Sequence, residues 1–150
     1  MTTQELLLLK PNTTMLVKND PFDYRGRSDI TLVGGVIVYW FFSDEGSFIS
    51  VNPDSDEMIL FRVADSELEV DEEGAIYEGE SLEVSYEDHG TITAVTNEAA
   101  VEENDAFNFS DYENDDGSVL IRSLENESTG ESQVYTGQVL AEEEILMVED

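Results

Sequence analysis

The chain has 150 residues, and its 36 acidic residues against six Lys and Arg give a formal net charge of -30 at pH 7. Such a chain is not expected to bind DNA, RNA or an anionic membrane directly, because those ligands attract clusters of Lys and Arg. The absence of cysteine excludes disulfide frameworks, thiolate metal sites and cysteine nucleophiles. The single histidine, His89, excludes a metal site built from several histidines.

The composition predicts one folded domain covering residues 1–150, since this length is typical of a single domain. Hydrophobic residues make up 40% of the chain and fall in patterned runs, which favours a folded chain over a disordered one. No apolar stretch approaches the roughly 20 residues of a membrane helix. The apolar run at residues 6–9 is too short for the core of a signal peptide. We therefore expect no membrane insertion and a cytoplasmic location.

The charge is divided unevenly along the chain. Residues 1–27 hold four Lys or Arg and three Asp or Glu, a net charge of +1. Residues 28–150 hold Arg62 and Arg122 against 33 acids, a net charge of -31. We expect the near-neutral N-terminal segment to pack on the acidic β body, with its cations beside acids there. The alternative is that Arg25 and Arg27 form a recognition patch.

In chain order, residues 6–9 fit either a helical turn or a strand. Ten strands are then predicted, at residues 15–18, 30–43, 47–51, 58–63, 67–70, 82–86, 91–96, 106–109, 118–124 and 133–140. Turns or loops are predicted at residues 19–27, 44–46, 52–56, 87–90, 97–105, 112–117 and 125–131. Residues 141–148 fit a final strand or a helical turn.

These signals predict an all-β fold. Residues 36–42 are β-branched or aromatic throughout, so Trp40 and its neighbours are expected in the core. Leu82, Val84 and Tyr86 alternate with polar residues, which is typical of a half-buried strand. About nine or ten short strands spaced 8–12 residues apart indicate a small antiparallel barrel or sandwich.

Catalytic motifs are absent from the sequence. His89 follows Asp88 and precedes Gly90, which fits a general base oriented by a carboxylate, or more simply a solvated histidine in a turn. Carboxylate pairs are uninformative among 36 acids, and no GxSxG motif occurs. We predict a protein that is not an enzyme and has no cofactor.

Calcium is the one metal that the acidic turns suggest. Residues 111–123 resemble an EF-hand loop superficially, but placing Gly117 at loop position 6 puts Tyr112 and Ser123 where carboxylates are required. The EF-hand interpretation therefore fails. Weak Ca²⁺ binding by a looser acidic turn stays open, beside the simpler interpretation of a solvated turn. The residues concerned are Asp111, Glu113, Asp115 and Asp116.

The charge itself is the remaining candidate for function. We expect acids of the β body to bind a basic protein surface, with the electrostatic field steering the encounter. The residues predicted for this surface are Asp71, Glu72, Glu73, Glu83, Glu87, Glu102, Glu103, Asp105, Asp111, Glu113, Asp115 and Asp116.

Two alternatives compete with this interaction surface. The first is a nucleic-acid mimic that inhibits a DNA- or RNA-binding protein. Thirty charges on a folded surface of about 7,600 Å² give roughly half the charge density of B-DNA, so mimicry requires the acids to lie on one side. The second is a salt-adapted accessory domain whose acids serve solubility only, which the scarcity of lysine (Lys10 and Lys18) favours.

Four stretches share a pattern of strand and turn residues. They are residues 22–27 (FDYRGR), 39–51 (YWFFSDEGSFISV), 76–95 (IYEGESLEVSYEDHGTITAV) and 133–140 (QVYTGQVL). In each long stretch a strand with aromatic residues is followed by a glycine-containing turn and a second strand. From residue 21 to about residue 140 the chain resembles an uncharacterised bacterial and archaeal family of small β-rich domains. The resemblance implies an all-β domain with an accessory or regulatory role, and it carries no catalytic residue over to this sequence.

Overall fold

The structure is a computed structural model that describes residues 1–43, 46–99 and 101–147. Its elements in chain order are α1 (Thr3–Leu7), β1 (Thr13–Val17), β2 (Asp20–Leu32), β3 (Ile37–Ser43), β4 (Phe48–Asn52), β5 (Glu57–Val63), β6 (Leu68–Asp71), β7 (Gly74–Tyr77), β8 (Glu80–Asn97), β9 (Ala106–Glu113), β10 (Leu120–Asn126), β11 (Ser132–Val139), a 3-10 turn (Glu142–Glu144) and β12 (Ile145–Met147). The all-β prediction is confirmed, with twelve strands in the described part of the chain instead of nine or ten.

Eight of the strands close into an antiparallel barrel, which selects the barrel over the sandwich. β2 to β5 form one meander and β8 to β11 form another. The meanders join where β5 pairs with β11 and where β2 pairs with β8. β2 and β8 are long enough to serve two roles, since their first residues pair with β1 and β7 and their later residues close the barrel.

Aromatic side chains pack together inside the barrel and form its core. Trp40 on β3 has no exposed surface, and its ring centroid lies 5.1 Å from that of Phe48 and 5.4 Å from that of Phe107. These residues point inward because side chains alternate between the two faces of a strand. The predicted core position of Trp40 is confirmed.

Two further layers cover parts of the outside of the barrel. On one side, Leu6 of α1 and Met15 of β1 pack with Phe41 and Ile49, which point outward from β3 and β4. On the other side, the hairpin formed by β6 and β7 packs Tyr77 with residues of β8 to β10. The buried residues on this side are Ala75, Tyr77, Leu82, Tyr112 and Ile121.

Arg27 lies where the N-terminal segment meets the barrel. Its guanidinium carbon is 5.3 Å from the ring centroid of Tyr39, and its Nη1 donates to the carbonyl oxygen of Leu7 at 3.2 Å. Its Nε lies 3.2 Å from a carboxylate oxygen of Asp29. Lys18 forms a second ion pair, at 3.0 Å to Glu144. Arg27 and Lys18 are therefore both engaged in contacts within the chain.

Three predicted features of the strand pattern are wrong. Residues 19–27 were predicted as a loop because of Pro21 and Gly26, but from Asp20 onward they belong to β2, where alternate side chains are buried. Residues 87–90 were predicted as a turn and lie within β8. Residues 30–43 were predicted as one strand and form parts of two, separated by Gly34 and Gly35, whose φ angles are +104° and +92°.

Smaller differences between prediction and structure concern one short strand and the two ends of the chain. β7 was not predicted because its four residues are too few to show an alternation. Leu6 and Leu7 are the last residues of α1, and Leu8 and Leu9 follow it. Residues 141–147 combine a 3-10 turn with a strand. Asp44 and Glu45 of the predicted 44–46 turn, and Val148 of the predicted final element, lie outside the described residues.

Candidate functional site

Five of the twelve acids predicted for the partner surface surround one groove of about 370 Å³ on the outside of the barrel. We call it the acidic groove, and its acids are Asp71, Glu72, Glu73, Glu83 and Glu87. Asp71 is the last residue of β6, and Glu72 and Glu73 lie in the turn between β6 and β7. Glu83 and Glu87 lie on β8. Residues 64–88 contain eleven Asp or Glu and no Lys or Arg.

The turn that carries three of these acids is held by its own hydrogen bonds. The carboxylate of Asp71 accepts from the backbone N–H groups of Glu73 at 2.8 Å and Gly74 at 3.0 Å. Gly74 has a φ of +152°, and a Cβ there would lie 2.3 Å from the carbonyl oxygen of Leu82. Only glycine fits this close approach, so the turn is fixed against β8.

The groove also contains exposed apolar side chains. Val70 on β6 is 59% exposed and Val84 on β8 is 47% exposed. Both line the groove, together with the buried Tyr112. An apolar strip rimmed by acids is typical of a binding surface more than of a purely solubilising one.

β6 is the last strand of its sheet. It pairs with β7 from Leu68 opposite Tyr77 to Asp71 opposite Gly74, and within the described residues its other edge pairs with no strand. An unpaired edge presents backbone N–H and C=O groups to any extended chain that approaches. The acidic groove therefore lies beside a free strand edge.

The remaining predicted acids fall in other places. Glu102 and Glu103 are exposed in the loop before β9, and the carboxylate of Asp105 holds that loop by accepting from the backbone N–H of Glu102 and the side chain of Asn126, both at 3.1 Å. Glu113, Asp115 and Asp116 lie at the end of β9 and in the turn after it. The structure thus separates the predicted surface into an acidic groove and two outlying groups.

Asp111 does not belong to any outer surface. Its side chain points into the barrel, the residue is 5% exposed, and its carboxylate is paired with Arg122. A buried, paired carboxylate cannot contact a docked protein on the outside. The expectation that Asp111 binds a partner is therefore corrected.

The acids considered for calcium do not converge. Asp111 is turned inward, whereas the carboxylate of Asp116 accepts from the backbone N–H of Ser118 at 3.0 Å. The hydrogen bonds from Ser118 lower the pKa of Asp116. Across residues 1–43, 46–99 and 101–147, no group of three or more Asp, Glu or His side chains is close enough to hold a metal ion.

A feature that the sequence analysis missed is the open end of the barrel. A pocket of about 340 Å³ is lined by residues from all eight barrel strands, and we call it the barrel mouth. Arg122 and Asp111 lie in its wall with Ser50 and Tyr86. The signal that could have found it is Arg122 itself, because it shares the inward face of β10 with Leu120 and Leu124, where a cation requires a buried partner.

Tyr86 is a further polar group at the barrel mouth. Its hydroxyl donates to the carboxylate of Asp88. Burial, followed by this hydrogen bond and the negative charge of Asp88, raises the pKa of Tyr86 above its ordinary value. Tyr86 is therefore a hydrogen-bond donor to Asp88 in the wall of the barrel mouth.

His89 lies on β8 and lines neither the acidic groove nor the barrel mouth. Its Nε2 is 3.1 Å from a carboxylate oxygen of Glu127, and the side chain of Asn108 also donates to Glu127. The hydrogen bond with His89, and then the one with Asn108, lower the pKa of Glu127. This arrangement links β8 to the loop after β10.

No helix in the described residues is long and apolar enough to cross a membrane. In comparisons with known proteins, no family model, no curated protein and no solved structure matches the chain. The resemblance to small β-rich domains therefore rests on the four stretches quoted above. The acidic groove, the free edge of β6 and the barrel mouth are the features from which a function must be argued.

Proposed function

We propose that this protein is a non-enzymatic interaction module whose acidic groove binds a basic, extended segment of a protein partner. The observation that carries the proposal is that Asp71, Glu72, Glu73, Glu83 and Glu87 surround one groove beside the free edge of β6. A regulatory or accessory role agrees with such a module.

The free edge of β6 supplies the binding mode. An extended segment that adds to a sheet edge gains backbone hydrogen bonds, and its alternate side chains reach the two faces of the sheet. The acidic side chains of β6, Glu69 and Asp71, disfavour pairing with a second copy of the same strand, because acids would then face acids. A strand carrying Lys or Arg meets the opposite charge at these positions, which makes the edge selective.

The exposed valines of the groove indicate that the partner segment also contains apolar residues. Val70 and Val84 present apolar surface between the acids of the groove. A bound segment that alternates basic and apolar residues would cover both kinds of surface. The expected partner segment therefore has the pattern basic, apolar, basic, apolar.

The same features favour this function over the two alternatives. A nucleic-acid mimic needs only anionic groups in the right places, whereas a free strand edge and exposed valines contribute nothing to mimicry. A domain whose acids serve solubility gains nothing from exposed valines either. The accessible surface of 8380 Å² and the charge of -30 also correspond to about one net charge per 280 Å², well below the charge density of B-DNA.

The proposal is tested with a fluorescein-labelled peptide of sequence KVKVKVK and the full chain, measured by fluorescence anisotropy. We expect saturable binding at about 50 mM NaCl that weakens steeply toward about 300 mM NaCl. The variant Glu72→Gln with Glu73→Gln should bind about three- to tenfold more weakly. The matched control is Glu142→Gln with Glu143→Gln, which makes the same charge change at two exposed residues of the 3-10 turn that do not line the groove.

A second peptide, KVKPKVK, tests the binding mode at the same charge. Proline lacks the N–H that a paired strand donates, so we expect this peptide to bind more weakly than KVKVKVK. Equal losses in the two double variants would assign binding to the overall charge of the protein. Equal binding of the two peptides would refute strand addition, and absence of any binding at about 50 mM NaCl would refute the proposal.

A further inference from the structure

The barrel mouth has the properties of a ligand site. We propose that it binds a small uncharged molecule that has an apolar body and an acceptor oxygen, and that Arg122 donates a hydrogen bond to this oxygen. The pocket of about 340 Å³ has room for about ten water molecules at their share of liquid volume. Pockets at the mouths of β-barrels are common places for small ligands.

Arg122 is the polar anchor of the site. Its residue is 4% exposed, and Nε and Nη2 donate to the two carboxylate oxygens of Asp111 at 2.7 and 2.9 Å. Nη1 is fully enclosed and has no acceptor within the part of the chain that the structure describes. Since Nε and Nη2 form one edge of the planar guanidinium, Nη1 lies on the opposite edge, away from Asp111.

An enclosed guanidinium N–H without an acceptor is unfavourable and rare in folded proteins. Here the group is also held in place, because the guanidinium carbon lies 4.2 Å from the ring centroid of Phe61 and 4.7 Å from that of Phe109. Arg122 therefore cannot easily turn to another acceptor. Because Nη1 has no surface open to solvent, a ligand oxygen can reach it only when a side chain at the barrel mouth moves aside. The oxygen would then satisfy the buried donor.

The charges around the pocket indicate an uncharged ligand. Asp111 neutralises Arg122, and Glu57 and Glu113 line the same pocket. A carboxylate or phosphate would meet this negative rim and a net protein charge of -30. An ammonium group would be attracted to the rim but offers no acceptor to Arg122.

The apolar walls indicate the rest of the ligand. The apolar side chains that line the barrel mouth are Leu32, Val38, Ile59, Phe109, Leu120 and Val139. Below them the aromatic cluster around Trp40 and Phe48 fills the barrel. The pocket is therefore closed at its inner end, and a bound molecule would place its oxygen at Arg122 and its apolar part against these walls.

The site is independent of the acidic groove, which lies on the outside of the barrel. The test uses the full chain and three probes that have the same five-carbon apolar body: hexanamide, hexanoate and pentylammonium. Binding is followed by the Nε–Hε NMR signal of Arg122 and by the fluorescence of Trp40, the only tryptophan. We expect saturable binding of hexanamide, with shifts at Arg122, and at least about tenfold weaker binding of both charged probes.

Two matched variants locate the binding. Val139→Trp places a large side chain at the rim of the barrel mouth, at a position that is 63% exposed and so tolerates the change. Val63→Trp makes the same change at the other end of β5 from Glu57, at a 47% exposed position. Because each variant adds a second tryptophan, binding to the variants is followed by the Nε–Hε signal of Arg122 alone. We expect Val139→Trp to weaken hexanamide binding at least about tenfold and Val63→Trp to leave it unchanged. No saturable binding of hexanamide, equal binding of hexanoate, or equal effects of the two variants would overturn the proposal.

Discussion

Arg122 and Asp111 face each other across β10 and β9 and form a two-point ion pair inside the barrel, with N–O distances of 2.7 and 2.9 Å. Arg122 is one of only two Lys or Arg in residues 28–150. Because it points inward, its charge offsets a buried acid and none of the acids on the surface. The other residues of 28–150 therefore still carry a net charge of -31, and Arg62 is the only Lys or Arg among them.

Removing one member of this pair should be much more costly than removing both. We expect Arg122→Met to lower the free energy of unfolding by about 3–5 kcal/mol, because Asp111 is left buried without its partner. Arg122→Met with Asp111→Leu should come within about 2 kcal/mol of the original protein, because neither buried charge remains. Urea unfolding of the two single variants and the double variant measures this difference. A double variant that is as unstable as Arg122→Met would contradict the account.

Gly74 and Gly79 lie in the same part of the chain, both have positive φ angles, and only Gly74 is crowded. A Cβ at Gly74 would lie 2.3 Å from the carbonyl oxygen of Leu82, whereas a Cβ at Gly79 has no neighbour within 4 Å. We expect Gly79→Ala to cost about 1 kcal/mol, from backbone strain alone. Gly74→Ala should cost about 3 kcal/mol, because the turn must also move off β8. Thermal unfolding compares the two, and equal losses would show that the turn is not fixed against β8.

The interaction between His89 and Glu127 gives a prediction about titration. We expect His89→Ala to raise the pKa of Glu127 toward the ordinary value of 4.5, because the hydrogen bond with His89 is the main cause of the lowering. Because the pKa is lowered in the folded state, the stabilisation is present above the unfolded-state pKa and is lost as pH falls through the folded-state pKa. Carboxyl ¹³C NMR titration measures the shift. Asn108→Ala should raise the pKa as well, but less, and an unchanged pKa in both variants would contradict the geometry.

Salt should stabilise the fold while it weakens binding. Repulsion among the acids is screened as the Debye length falls from about 10 Å at 0.1 M to about 3 Å at 1 M salt. We expect the unfolding temperature to rise by about 5 °C between 0.05 and 1 M NaCl. An uncharged osmolyte at equal osmolality is the control. An unfolding temperature that falls with salt would mean that the few ion pairs outweigh the repulsion.

The fold class could be predicted because the alternation of apolar and polar residues in a strand is visible over a few neighbouring residues. Closure of the barrel could not be predicted, because it depends on pairing between strands that are far apart in sequence. The pairing of Ile30 with Ile92 joins residues 62 positions apart, and no local pattern indicates which strands will meet. Pro21 and Gly26 favour a loop by local preference, but both lie in β2. Pro21 is near the start of the strand, and Gly26 lies beside the backbone of Glu98. Tertiary contacts outweighed the local preference at these positions.

The candidate site was predicted in part. Asp71, Glu72 and Glu73 are adjacent in sequence, so their clustering follows from their positions alone. Their approach to Glu83 and Glu87 depends on the β7–β8 pairing, which could not be predicted because β7 was not recognised. The prediction for Asp111 is wrong because the sequence does not show whether a carboxylate faces water or a buried arginine.

Pairing of a basic segment with the free edge of β6 would be visible by NMR of the complex with KVKVKVK. We predict cross-strand nuclear Overhauser effects between the peptide and residues Leu68 to Asp71, with slower hydrogen exchange of the outward-facing amides of β6. Shifts spread over all the acidic surfaces, with the exchange of β6 unchanged, would contradict the claim.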